Sequence, residues 1–305
     1  MKPSILVIGS SNTDMIARVP RIPQPGETIL GGKFITAPGG KGANQAVAAT
    51  RAGGEVCFIT CVGDDMFGDH AVAAFVGDGM NVSYLRRKHA PTGVALIFVA
   101  DDGQNSIAVA PGANAELSPS DVKRARTAFQ CSDILLIQLE TPLATVTTAI
   151  KQAAKWDLPV ILNPAPAQPL PASLLQHVSI LTPNESEAEL LTGIKVTNPA
   201  SARRSAQILH ERGVETVIIT LGARGAFVSN VTTHELVPGF KVKALDSTAA
   251  GDVFNGALAV ALAERQGLLP AVRFANAAAA ISVTQVGAQP SIPRRKEIER
   301  LLRQS

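Results

Sequence analysis

The sequence predicts an α/β protein of three layers, a mostly parallel sheet with helices on both faces plus a small β-sheet lid. Three observations carry that expectation. Short apolar runs, the mark of strands buried on both faces, recur at residues 5–8, 56–62, 134–139, 160–162, 180–182 and 217–221. Helical patterns fall between them at 43–52, 68–77, 119–129, 143–155, 185–191 and 200–212, and such alternation builds a parallel sheet flanked by helices. Finally, two stretches break the rhythm. Residues 13–38 hold Pro20, Pro23, Pro25 and Gly26 with short β-like pieces at 28–30 and 33–36. Residues 92–110 read as a hairpin, 93–99 and 106–110, turned at Asp101-Asp102-Gly103. Together 13–38 and 92–110 make the expected small sheet, leaving 1–12, 39–91 and 111–305 as the main domain. A sheet joined by two crossings can close over a site; an extra antiparallel edge on the main sheet is the competing arrangement.

Taken in order, the elements support this plan. The chain opens on Met1-Lys2-Pro3-Ser4 and enters a strand at once, without a long apolar leader, so a cytoplasmic location is expected. Ser118-Pro119 supplies an N-cap and a proline at the first helical position, and Gly213 is a helix stop. The Ala-rich run at 275–283 falls short of the roughly 18 residues that span a bilayer and reads as a buried helix. The last helix, expected at 293–303, interleaves Arg294-Arg295-Lys296 with acids.

Composition narrows the function. With 46% hydrophobic and 17% charged residues and a mean hydropathy of +0.19, disorder is excluded. A net charge of +3 with only 4% aromatics argues against a nucleic-acid surface. Cys57, Cys61 and Cys131 form neither a disulfide framework nor a metal cluster, and read as small buried apolar side chains.

Several segments carry chemistry. Ala249-Ala250-Gly251-Asp252 runs directly into a helix. Small residues there let free N–H groups approach an anion, and an acid in the first turn can face the same point as a general base. An acid that only complements the helix dipole explains the residue equally simply. Pro38-Gly39-Gly40-Lys41-Gly42-Ala43-Asn44 also opens a helix, but its spacing is not that of a P-loop. Gly9-Ser10-Ser11-Asn12 after the first strand lacks a dinucleotide fingerprint, which argues against a dehydrogenase. Asn12, Asp14 and Glu140 follow strands where α/β proteins place ligands. Asn184 with Glu187 has the spacing of a capping box; an acid organising magnesium through water is the competing role. The glycines of Thr220-Leu221-Gly222-Ala223-Arg224-Gly225 permit a tight turn on which a flat base can lie, or a plain β-turn.

Five segments then resemble, in order and across essentially the whole chain, the ribokinase family, the phosphofructokinase-B type of sugar kinases. Gly39-Gly40-Lys41-Gly42-Ala43-Asn44-Gln45-Ala46 is similar to its N-terminal signature, and Asp246-Ser247-Thr248-Ala249-Ala250-Gly251-Asp252 to its C-terminal one. Asn163-Pro164-Ala165-Pro166-Ala167, Thr182-Pro183-Asn184-Glu185 and Gly287-Ala288-Gln289-Pro290-Ser291 are more particular to its ribose-phosphorylating members. Ser247 stands where threonine is usual, and Ala249 replaces the first glycine of Gly-Ala-Gly-Asp. The resemblance implies a phosphotransferase moving the γ-phosphate of ATP to O5 of D-ribose. Asp252 would be the base, with backbone amides of Ala249, Ala250, Gly251 and Asp252 as the anion hole. Asn12, Asp14, Gly40, Lys41, Gly42, Asn44, Glu140 and Asp252 would hold the sugar. Asn184, Thr220, Leu221, Gly222, Ala223, Arg224, Gly225, Gly251 and Asn276 would line the nucleotide side. Glu187 would act indirectly on magnesium. A monovalent cation, usually potassium, would sit among Asp246, Thr248, Ser282, Gln285, Gly287 and Ser291. A homodimer through the lid is expected, with no nucleic-acid or membrane partner. Deoxyribose or a nucleoside as acceptor, and a non-catalytic sugar sensor, are the alternatives.

Overall fold

The computed structural model describes residues 2–304. Its strands are β1 (Ser4–Ile8), β2 (Asn12–Val19), β3 (Lys33–Gly39), β4 (Glu55–Ile59), β5 (Cys61–Gly63), β6 (Arg86–Lys88) and β7 (Gly93–Ala100). There follow β8 (Asn105–Ala110), β9 (Ile134–Ile137), β10 (Val160–Leu162), β11 (Ile180–Leu181), β12 (Thr216–Thr220), β13 (Gly225–Ser229) and β14 (His234–Pro238). The helices are α1 (Lys41–Arg51), α2 (Met66–Gly77), α3 (Pro119–Arg124), α4 (Arg126–Cys131), α5 (Leu143–Ala154) and α6 (Ala172–Leu175). The last five are α7 (Glu185–Thr192), α8 (Pro199–Glu211), α9 (Ala250–Ala263), α10 (Leu268–Ser282) and α11 (Arg295–Arg303).

The main sheet has eight strands in the order β14-β13-β12-β11-β10-β9-β1-β4. From β4 to β12 every pairing is parallel, and only the β12–β13 and β13–β14 pairings at one edge are antiparallel. Two cores lie on its two faces. Leu6 and Ile8 point into one with α5, α7 and α8, while Ile5 and Val7 point into the other with α1, α9 and α10. Layers on both sides therefore explain why these strands are continuously apolar rather than alternating.

The small sheet is separate, ordered β3-β2-β7-β8, so the added-edge arrangement is not the one adopted. β2 pairs parallel with β7, and the other two pairings are antiparallel. The β-like piece expected at 28–30 is not a strand; the pairing begins at Lys33.

Other expectations need correction. The run at 56–62 is two strands: β4 pairs with β1, and beyond Thr60 the chain leaves the sheet so that β5 pairs with β6. Gly63 permits the departure, because a Cβ there would lie 2.4 Å from the Thr92 nitrogen. The helix expected at 119–129 is broken at Ala125 (ψ 24°) into α3 and α4, although Ser118 and Asp121 do form a capping box. Cys61 is buried, but Cys57 is only half-buried and Cys131 is exposed. Among the described residues no helix is long and apolar enough to cross a membrane.

Candidate active site

α1 and α9 lie side by side and bring the two Gly-rich segments together. Gly256 sets their separation: a Cβ there would meet the Ala48 Cβ at 2.6 Å and the Gln45 carbonyl oxygen at 2.6 Å. At the entry to α1, Gly40 takes φ 89°, and a Cβ on Gly42 would lie 2.5 Å from the Gly9 carbonyl carbon. The first turn of α1 thus sits directly on the end of β1.

Asp252, in the first turn of α9, is 6% exposed. Its Oδ2 accepts from Asn44 Nδ2 at 3.0 Å and its Oδ1 from Gln45 Nε2 at 3.0 Å. Burial pushes its carboxyl up, and the positive charge of Lys41 with the two amide donors opposes that push. The Lys41 ammonium is also buried, which disfavours its charge. Four carboxylates, Asp252, Glu140, Glu187 and Asp14, more than compensate and raise its pKa.

Asp14 stands over Gly39, whose absent Cβ would lie 2.3 Å from the carboxylate. Burial first, then the charges of Glu140 and Asp252, raise its pKa to about 6, against a lowering by Lys41. Glu140 Oε2 accepts from Ser10 Oγ at 2.6 Å and from the Lys41 backbone N–H at 2.9 Å. Asn12 Oδ1 accepts from Asn114 Nδ2 at 2.7 Å. Asn12, Asp14, Gly40, Lys41, Asn44, Glu140 and Asp252 therefore belong to one neighbourhood, whereas Gly42 serves mainly the packing of α1 on β1.

Two cavities meet at the N-terminus of α9. One, about 170 Å³, is polar and is lined by Lys41, Asn163, Asn184, Glu187, Gly251 and Asp252 among others. Its neighbour, about 460 Å³, is mainly apolar and includes Gly222, Gly225, Phe240, Val242, Phe254 and Val283. Thr220, Ser247, Ala250 and Gly251 line both. Ala249 caps α9 at φ 60°, the left-handed region that alanine rarely enters, and no side chain caps the helix. A Cβ on Gly251 would meet nothing within 4 Å, so open space faces this backbone. The Ala250 N–H is already bonded to the Ser247 carbonyl at 3.2 Å.

The remaining candidates are placed less uniformly. Gly222, Ala223 and Asn276 line the apolar cavity, but Leu221 is buried in the core and Arg224 pairs with Glu185. Asn184 and Glu187 form the capping box of α7, with Glu187 accepting from the Asn184 N–H at 2.8 Å, yet both also face the polar cavity. The capping role read from the sequence is the one adopted, at residues that also line a cavity. Asp246 accepts from the Thr248 N–H at 2.9 Å and the Gly287 N–H at 2.8 Å. Burial would raise its pKa, but these bonds and the Thr248 hydroxyl prevail and lower it. Ser282 and Ser291 are buried, each with its hydroxyl donating to a backbone carbonyl three residues earlier. Gln285 donates its N–H to the Ser282 carbonyl.

Sequence reasoning quoted Gln45, Asn163 and Thr182 within matching segments but gave them no role, and did not single out Gln138 and Asn255, which with them join Asp252 to the sheet, nor Phe240, Val242 and Phe254 of the apolar cavity. The N-terminal signature and its Gly-rich helix start were the available signals for Gln45.

Fold and cleft together place two adjoining cavities against one helix N-terminus, with a buried carboxylate lining the polar one. The pfkB family of carbohydrate kinases matches residues 2–295, and the chain belongs to that family. It is 48% identical to a ribokinase of Haemophilus influenzae, covering 97% of each chain. A deoxyribokinase of Salmonella typhi is 38% identical, covering 95% of each. The Arabidopsis thaliana ribokinase complexed with ribose and ATP superposes with a TM-score of 0.91 over 100% of each chain at 33% identity.

Proposed function

We propose that the chain transfers the γ-phosphate of ATP to O5 of D-ribose. The observation that carries this reading is the placement of Asp252 where a polar and an apolar cavity share the start of α9. The apolar cavity suits a nucleotide base, the shared backbone its phosphates, and the neighbourhood of Asp14, Lys41, Asn44 and Glu140 a polyol. Asp252 accepts the proton of the attacking hydroxyl, whose oxygen bonds to the γ-phosphorus as the bond to ADP breaks. N–H groups at the start of α9 face charge developing on the transferred group, an effect strongest when water is excluded. The small sheet, carrying Asn12 and Asp14 at its root, closes as a lid over the sugar.

Magnesium would enter with ATP. Glu187 fits a role through water, since its two oxygens are already held by Asn184 donors and it lines the polar cavity. When bound, the ion supplies positive charge to the phosphate oxygens. Asp246, kept ionised, together with the oxygen-bearing Thr248, Ser282, Gln285, Gly287 and Ser291, is a hard donor set suited to a monovalent cation such as potassium. Exposed Phe34, Leu96 and Ile107 on the small sheet fit a homodimer formed there. The chain functions in the cytoplasm in this reading.

ADP release measured with ribose, deoxyribose, fructose and adenosine, with and without potassium, tests it. Fastest turnover per sugar concentration with ribose, rising with potassium, is the expected result. Preference for deoxyribose would move the chain to the activity of its Salmonella relative. No turnover with any acceptor, alongside ribose binding, would make it a sensor.

A further inference from the structure

Asp252 does not stand on α9 alone; its orientation is fixed by a chain of buried amides that reaches the middle of the sheet. Gln45, fully buried on α1, uses both hydrogens of Nε2, one toward Asp252 Oδ1 at 3.0 Å and the other toward Asn163 Oδ1 at 3.0 Å. Its Oε1 accepts from Gln138 Nε2 at 2.6 Å. Asn163 in turn donates to the Thr182 carbonyl at 3.2 Å.

An ionised carboxylate can only accept, so it forces Gln45 to present nitrogen; Gln45 must then present oxygen to Gln138, and Gln138 nitrogen to Gln45. Each amide has one orientation that satisfies its neighbours. The cost falls at the far end, where Gln138 Oε1 is buried without a partner beside Gly9, whose absent Cβ would lie 2.1 Å away. A buried acceptor left open in this way runs against the general rule for interiors. It follows from the orientation of Gln138, whose nitrogen must face Gln45 once Gln45 presents its own nitrogen to Asp252.

We propose that Gln45 is a positioning residue for phosphoryl transfer, held in register by Gln138 and Asn163, which fixes the Asp252 carboxylate and keeps it ionised and ready to accept a proton. The proposal rests on Asp252 being the base. Gln45 is fully buried, and the two carboxylate oxygens have separate partners: Oδ1 is held by Gln45 and Oδ2 by Asn44, in a residue that lines the polar cavity. Lys41 on α1, Asp14 on β2, Glu140 after β9 and Glu187 on α7 supply the other charges felt by Asp252. None of their side chains hydrogen-bonds to the Gln45 amide, whose partners are Asp252, Asn163 and Gln138.

Gln45→Leu removes the donor at nearly constant volume. Its expected effect is a fall in kcat of about 10–100-fold, the scale of lost supporting contacts around a site, with the ribose dissociation constant within about threefold of the parent. Taken as the ratio of variant to parent kcat/KM across pH, the contribution of Asp14 cancels. That ratio should fall further toward acid, because Asp252 without its Gln45 donor holds its proton to higher pH. Gln138→Leu, which touches neither Asp252 nor the cavities, should give the same signature at smaller size, and it carries the test if Gln45→Leu does not fold. A pH-independent ratio, or kcat unchanged in a folded variant of either residue, overturns the proposal. Asp252→Asn measured alongside separates the two levels: if that variant turns over normally, the assignment of the base fails, and not merely its positioning.

Discussion

Two strands of similar composition meet opposite fates in this molecule. β1, Ser-Ile-Leu-Val-Ile, lies inside the eight-stranded sheet, between β9 and β4, with its last four residues wholly buried. β8, Asn-Ser-Ile-Ala-Val-Ala, closes the four-stranded sheet and is exposed along its whole length. The difference is in what stacks on them. Helices cover both faces of β1, whereas β8 has no layer on either face and holds to β7 by its backbone ladder. Apolar sequence therefore marks a strand but does not say whether the fold buries it. The body buries its apolar strands, while the outer strand of the small sheet leaves apolar side chains exposed.

The comparison can be broken first at the chemistry. Asp252→Asn should lower turnover by about 10²–10⁴-fold while ribose binding persists, read by steady-state kinetics beside calorimetry. An equal loss of turnover from any substitution on the outer small sheet would erase the division between the regions. In the body, Phe58→Ala removes a fully buried ring stacked edge-on against Phe75 at 5.2 Å. Denaturant unfolding should show about 3–5 kcal/mol lost.

At the junction, Asp14→Asn should raise the KM for ribose by about 10–100-fold with a smaller change in kcat, as for a lost hydrogen bond to a charged group. The same variant sharpens the electrostatic side. Asp14 has its pKa raised from 3.8 to about 6 on folding. The folded form therefore binds more protons between those values, and stability falls as pH rises through that window. Without sugar, Asp14→Asn escapes this loss, so its melting temperature relative to the parent should climb from pH 4 to pH 6 and then level off. A flat difference would mean that the carboxyl is not perturbed. Smallest of all, Ile107→Ser on exposed β8 should leave monomer stability within about 0.5 kcal/mol. It should instead weaken self-association, read by sedimentation at several concentrations.

The sequence made the layers legible because buried parallel strands and amphipathic helices leave periodic traces. β10 and the start of α5 lie where the pattern put them. It could not show that Thr60 ends one strand pairing and Cys61 begins another, since both sides of the break are apolar and partner choice is a long-range matter. The junction at Ala125 was equally silent, as alanine carries no helix-stop signal. Within the site, Asp252 could be found from its place at a helix start. Gln45 and Gln138 could not be joined, for nothing local links residues 93 positions apart. The apolar cavity is assembled from α9, α10 and the 239–244 segment, which are distant in sequence and carry no common local signal.

Gly256 lets α1 and α9 touch backbone to backbone, which has a bearing on how acceptor preference can change. Lys41, Asn44 and Gln45 ride on one helix and Asp252 on the other, so the two form a fixed jaw whose gap is set by main-chain contact. A larger side chain at 256 would force the jaw apart and misplace all four groups together. Asn12 and Asp14 are mounted on a different element, β2 of the small sheet, so their placement does not depend on the gap between α1 and α9. A kinase of this build can be retuned toward a different sugar by altering β2 while the fixed jaw keeps its spacing.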